Sequence, residues 1–490
     1  MSGKRGQWNK KIFFIMAMIG SAIGLGNIWR FPYILYSNGG GAFFIPYLIG
    51  LAIFALPLLY LEYGVGFTFK GSAPLAFARG NSKAEIIGWI TFISLFVITG
   101  YYSCLMAWIL IYLVLSFTGG WGLDPVSFFA TNIQGTGTMG LGLVLPVLLA
   151  IIVIWLIIGV VIRRNINEGL AKASNFLLPA LVVIMVIIVG ISLTLNGALV
   201  GLTELFIPRW ELLLDPGIWV AAFAHVLFTV SLAMGVAIVF TSYLRGKNDF
   251  VKDGLTVILS NSAFEIFVSV AVFSILGFMA VKNGVGVNQV VDSGINLAFV
   301  VFPTIFNNLG VLGQVLGPLF FICLLFAGLT TILSFVETFL AGIVDKFGWS
   351  RGKTTLLVSV SGLILGSLFA TSYGVDILAS VDYLANEFWM ITIALLEVVV
   401  VGWVFNTDKI LDNLNKHSKR KLGGLWKFLI RYVIPCILVF LLSSEFYNII
   451  VNKVPFNTLL IYIIFTLCLI VGSVVLTRLK WKTPPKHGKY

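Results

Sequence analysis

The sequence predicts an all-α polytopic membrane protein with twelve transmembrane helices, and three observations predict it. Hydrophobic residues make up 59% of the 490-residue chain and charged residues only 11%, where soluble domains carry about 25% charged residues. Apolar runs of 18 or more residues recur from Phe13 to Leu476, and a helix needs roughly 20 to cross hydrocarbon. The runs are continuous rather than alternating, which excludes a transmembrane barrel. Mean hydropathy of +1.03 leaves no room for a separate water-soluble domain.

Taken in order, the spans fall near 10–36, 41–69, 87–118, 138–162, 167–195, 217–243, 254–281, 311–344, 353–373, 378–405, 427–444 and 456–478. The apolar run of the first begins after Lys4, Arg5, Lys10 and Lys11, as that of a signal peptide would. It contains Asn27, Arg30 and Pro32 and no small-residue cleavage pattern, so it reads as a retained helix. Residues 1–405 then form a core of ten helices, with candidate repeats at 10–195 and 217–405, and 406–490 add two helices and a tail.

Charge sets the orientation. Twenty-eight of the 32 Lys and Arg lie in the two tails, in the loops on their side of the membrane or at the span ends that border them. The opposite side holds Arg209, Lys282 and Lys453, and Arg30 sits within the first span. The positive-inside rule therefore predicts a multi-pass protein of the cell membrane with both termini cytoplasmic. The net charge of +12 follows from that topology and does not point to nucleic acid. Cys104, Cys323, Cys436 and Cys468 all fall in apolar spans without a CxxC, which suggests neither zinc nor disulfides.

Two spans carry interruptions where a membrane helix should satisfy its own backbone. The first reads Gly20-Ser21-Ala22-Ile23-Gly24-Leu25-Gly26-Asn27 before Arg30 and Pro32. A GxxxG packing face accounts for Gly20 and Gly24, but not for Gly26, Asn27 or Arg30. A broken helix accounts for all of them: unwinding frees carbonyls for a cation and N–H groups for a carboxylate. The sixth span has a matching weak point at Phe228-Thr229-Val230-Ser231-Leu232-Ala233-Met234-Gly235. Paired interruptions in corresponding spans of two halves point to an inverted-repeat secondary transporter. The eighth span adds Thr330 and Thr331, whose hydroxyls could serve a hard cation or bond back to their own helix. No nucleotide motif is present, so an ion gradient rather than ATP would supply the energy.

These residues resemble the neurotransmitter:sodium symporter family, of LeuT-type fold with a 5+5 inverted repeat and broken helices 1 and 6, in a prokaryotic amino-acid-transporter-like form. The resemblance covers nearly the whole chain. Its most specific part is SAIGLGNIWRFPYILYSNGGGAFFIPY from Ser21 to Tyr47, supported by matches around Phe228, Ser242-Tyr243-Leu244-Arg245 and Phe326-Ala327-Gly328-Leu329-Thr330. It implies two sodium ions. One would be held by Asn27, Thr229 and Asn261, the Ala22 carbonyl and the substrate carboxylate, which couples ion to substrate directly. The second would be held by the Gly20, Ile23 and Ala327 carbonyls with Thr330 and Thr331, where Thr331 replaces the Ser common in the family. An amino-acid carboxylate would meet Leu25, Gly26 and Tyr102, and its ammonium would meet Ala22, Phe228, Thr229 and Ser231. Ser21, Ile98, Tyr102, Phe228, Met234 and Phe335 would line the side-chain pocket, whose mainly apolar wall favours a hydrophobic substrate.

The resemblance also implies gates. Arg30, costly in a span unless paired, would pair with Asp382 on the outer side, above a lid of Tyr102 and Phe228. On the inner side Arg5 would pair with Asp345, with Trp8 and Tyr243 closing the pathway; Arg5 also reads as an ordinary inner-side charge. Gly169 and Pro179 in the fifth span would let its inner end unwind, or simply mark a helix start and a kink. Glu265 stands where chloride-dependent members have Ser, so its carboxylate would replace the anion, with His225 beside it; a hydrogen-bonded structural glutamate is the other reading. Glu62 is expected to accept N–H groups freed in the broken sixth span, and Glu337 and Glu397 to make helix–helix hydrogen bonds.

The resulting expectation is a sodium-coupled symporter importing a neutral, hydrophobic amino acid by alternating access, independent of chloride. Its partners would be the amino acid, sodium and the lipid bilayer, with no nucleic acid. A proton-driven or exchanging permease of the same fold is the alternative. A channel would need no paired breaks, and no HExxH or membrane catalytic dyad suggests an enzyme.

Overall fold

The computed structural model describes residues 6–136, 142–292, 294–451 and 453–485. Among these, nine helices are long and apolar enough to cross a membrane without interruption: Gly40–Phe69, Ser82–Ser116, Leu145–Arg163, Asn167–Leu193, Phe250–Asn283, Val311–Phe347, Gly374–Val404, Gly424–Val451 and Phe456–Arg478. Three further spans complete the twelve. The first is the pair Lys11–Ala22 and Leu25–Ser37, bent by 52° at its break. The sixth is Pro216–Thr229 and Val236–Ser242, and the ninth is the 17-residue helix Arg351–Ser367. Ala198–Leu214 meets Pro216–Thr229 at 118°, a corner rather than a span.

The two breaks have different causes. In the first span Ile23 and Gly24 are extended, with Gly24 at φ −127° and ψ −164°. In the sixth span Ser231, Ala233 and Gly235 have positive φ of 53°, 57° and 71°. A left-handed residue other than glycine costs of order 1–3 kcal/mol and persists only where its surroundings hold it. Glu62 supplies part of that support. It is fully buried, and its Oε1 accepts the Ala233 N–H at 2.7 Å, as expected from the sequence.

The spans nearest the breaks form the interior. For spans 3 and 8, 78% of the most apolar stretch is buried, against 11% for span 12, which faces lipid along most of its surface. Span 11 runs well beyond 427–444, because the polar Glu445 ended the apolar run without ending the helix. Its carboxylate is satisfied by the Tyr383 hydroxyl at 2.6 Å, so the helix continues to Val451.

Candidate transport pathway

A cavity of about 590 Å³ lies between the two breaks. Ser21, Ala22, Leu25, Gly26, Ile98, Tyr102, Phe228, Thr229, Ser231, Met234 and Phe335 all border it, and it continues to Arg30, Gln134, Asn296 and Asp382. The close approach of the two breaks depends on Gly26, where a Cβ would lie 2.7 Å from the Phe228 ring. Ser231 Oγ donates to the Ser21 carbonyl at 2.8 Å, tying one break to the other. The Leu25 N–H points at the Tyr102 hydroxyl at 3.4 Å. Leu25 opens a 13-residue half-helix, whose N-terminus favours negative charge. The carbonyl ends of the half-helices ending at Ala22 and Thr229 favour positive charge. The cavity thus offers opposite polarity at its two backbone edges and apolar side chains between them.

Beside it, the amide of Asn27 joins three spans. Asn27 Nδ2 donates to Asn261 Oδ1 at 2.8 Å, Glu265 Oε1 at 3.0 Å and Thr229 Oγ1 at 3.3 Å, while its Oδ1 accepts the Gly24 N–H at 2.7 Å. The Thr229 hydroxyl also donates to Glu265. Tyr47 donates to Glu265 Oε2 at 2.8 Å, and His225 Nε2 lies 3.2 Å from Oε1. Glu265 is fully buried and its oxygens are hydrogen-bonded by these groups, as buried polar atoms require.

A second oxygen cluster lies across the first break. Thr331 Oγ1 is 3.3 Å from the Gly20 and Ile23 carbonyls and 3.2 Å from that of Ala327. Thr330 Oγ1 turns to its own helix, at 2.9 Å from Ala327 O and 3.2 Å from Phe326 O. Both clusters present oxygen, the ligand type preferred by hard cations. No group of three or more His, Cys, Asp or Glu suited to a metal occurs among the described residues.

At the open end, Arg30 does not pair with Asp382. Its Nη2 lies 2.7 Å from Glu387 Oε1, and its guanidinium sits 4.9 Å above the Phe228 ring. The reason is a π-helical turn over Leu384–Trp389. In such a turn each N–H bonds the carbonyl five residues back, which brings Glu387 to the side of the helix that Asp382 occupies. Asp382 itself accepts from Asn386 at 2.8 Å.

The other end is sealed. Trp8 Nε1 donates to Phe240 O at 2.8 Å, and its ring packs edge-on against Phe14, Phe240 and Tyr243. Asn167 clips the preceding segment in both directions, donating to Gln7 O at 2.7 Å and accepting from Asn9 N at 2.9 Å. Tyr243 donates to Glu337 at 3.2 Å, and Arg351 holds the same carboxylate with two nitrogens. Arg5 lies outside the described residues. Its expected partner Asp345 accepts the Ser72 N–H at 2.8 Å. Glu337 therefore joins spans, as expected, but through an ion pair to Arg351 that the sequence did not reveal.

Neither Glu387 nor Tyr47 is assigned a role by the sequence alone. Tyr47 lies inside the conspicuous run Ser21–Tyr47, so a signal was present. Glu387 carried none, because hydropathy does not register a π turn.

The sequence matches the Sodium:neurotransmitter symporter family over residues 5–124 and 121–481. It is 36% identical to an uncharacterized sodium-dependent transporter of Methanocaldococcus jannaschii, over 97% of this chain and 98% of that protein. It is 29% identical to the sodium-dependent nutrient amino acid transporter 1 of Drosophila grimshawi, over 90% of this chain and 77% of that one. Against the sodium- and chloride-dependent glycine transporter 2 of Xenopus laevis it is 28% identical, over 91% of this chain and 64% of the relative. The fold is similar to the crystal structure of MhsT in complex with L-phenylalanine, with a TM-score of 0.77 and 29% identity over 90% of this chain and 99% of MhsT. These matches bear out the LeuT-type fold and a transporter rather than an enzyme. This chain belongs to the sodium:neurotransmitter symporter family, whose members are sodium-dependent transporters.

Proposed function

We propose that the protein imports a neutral, hydrophobic amino acid with two sodium ions by alternating access, without chloride. The observation that carries this reading is the cavity set between the two breaks, apolar in its middle and flanked by an oxygen cluster on either side. The amino-acid carboxylate would meet the half-helix N-terminus at Leu25 and Gly26 and the Tyr102 hydroxyl, and would complete the sodium site of Ala22, Asn27, Thr229 and Asn261. The Gly20, Ile23, Ala327, Thr330 and Thr331 oxygens would hold the second ion. The phenylalanine in the MhsT crystal structure and the Ile98, Met234 and Phe335 wall support a hydrophobic side chain.

Glu265 supports the chloride-independent part. Tyr47, His225, Asn27 and Thr229 converge on its carboxyl group, so the chain itself supplies an acid there. Charge asymmetry supports cytoplasmic termini in the cell membrane, and the chain order supports a ten-helix core, 1–405, with two added helices in 406–490. Uptake of labelled amino acids into proteoliposomes tests the reading. Uptake should need an inward sodium gradient and survive replacement of chloride by gluconate; loss in gluconate would refute the role given to Glu265.

A further inference from the structure

Among the described residues, the open end of the pathway holds the cation Arg30 and two nearby acids of one helix, and Arg30 is bonded to the acid that does not border the cavity. Arg30 and Asp382 both line the mouth. The Arg30 guanidinium is nevertheless bonded to Glu387, 2.7 Å away, with side chains 28% and 14% exposed. Asp382 is engaged by Asn386 at 2.8 Å and so remains in place without Arg30. Leaving a partly buried charge in a membrane span without its partner is costly. Two carboxylates brought together by one π turn remove that cost, because the guanidinium can pass from one to the other with its charge compensated throughout.

We propose that Glu387 is a positioning residue for transport: it holds Arg30 back from Asp382 and so keeps the mouth open, and closure exchanges one carboxylate for the other. The two acids then act in opposition. Removing the Glu387 charge leaves Asp382 as the partner and favours the closed mouth. Removing the Asp382 charge leaves Arg30 on Glu387 and favours the open one. A residue that merely stabilised the fold would weaken the protein without producing opposite shifts.

The inference rests on the transport reading, but its test needs no substrate. A cysteine is introduced by Ala379→Cys, at an exposed position lining the mouth. It is labelled with a charged methanethiosulfonate in the full-length purified protein, in choline and without amino acid, and the parent chain supplies the background from native cysteines. Glu387→Gln should slow labelling about fivefold, Glu387→Asp should stay near the unsubstituted rate, and Asp382→Asn should match or exceed it. Labelling of Glu387→Gln at or above the unsubstituted rate overturns the proposal, as does a slowing in Asp382→Asn. If Glu387→Gln fails to fold, the Asp382→Asn arm decides by the same criterion. Failure of sodium-driven uptake alone would refute the transport reading and leave this labelling result interpretable.

Discussion

The two ends of the pathway are built on different physics. At the open end, Arg30 is held by one acid with a second close by, so the contact can change partner. At the sealed end the groups are saturated and cross-braced. Glu337 is fully buried and takes Tyr243 and both terminal nitrogens of Arg351, while Arg351 Nε is fixed on Ile162 O at 2.8 Å. Trp8 adds an indole hydrogen bond and three ring contacts. Opening this end has to undo several contacts from different spans together. If the pathway alternates as proposed, its two gates are not equivalent: one end is tuned by competition between partners, the other by cooperation.

The largest expected effect lies between the ends, where both would act. Asn27→Ala removes the amide that links spans 1, 6 and 7 and should abolish sodium-dependent substrate binding in a scintillation proximity assay while the protein remains folded. Sodium affinity equal to the parent protein would contradict the first ion site. Next is the sealed end. Glu337→Gln removes the charge that Arg351 and Tyr243 share, which should destabilise that end by about 1–3 kcal/mol. A cysteine facing the inner pathway should then label faster; unchanged labelling would show that the aromatic contacts alone seal it.

Glu62→Leu tests the break that both ends flank. It leaves the Ala233 N–H without its acceptor and should lower stability by about 1–3 kcal/mol, read as a lower melting temperature in detergent; an unchanged melting temperature would remove Glu62 as the brace. The smallest effect should come from Tyr47→Phe. One of several donors to Glu265 is lost, worth roughly 1 kcal/mol, so the sodium dependence of uptake should shift a few-fold without loss of chloride independence.

The same contrast describes what the sequence reveals. Spans are legible because hydrocarbon demands long apolar runs, and both breaks are legible because Gly24, Gly26, Asn27, Ser231 and Gly235 have no reason to sit mid-span in an intact lipid-facing helix. Glu62 could be assigned to the sixth-span break because a buried acid needs donors and that break frees them. Partner choice is harder. Arg30 required an acid, but the π turn that selects Glu387 leaves no mark in hydropathy. Trp481 shows the same limit. Its indole donates to Glu85 at 2.9 Å, and its ring lies 4.3 Å from the buried Lys346 ammonium, a contact across most of the chain that no local pattern announces.

Proteoliposome uptake of a labelled hydrophobic amino acid, compared in sodium and in choline at matched chloride, decides whether transport is coupled to sodium. The arrangement of two oxygen clusters around one cavity predicts concentrative uptake in sodium and none in choline. Equal uptake in the two would contradict it.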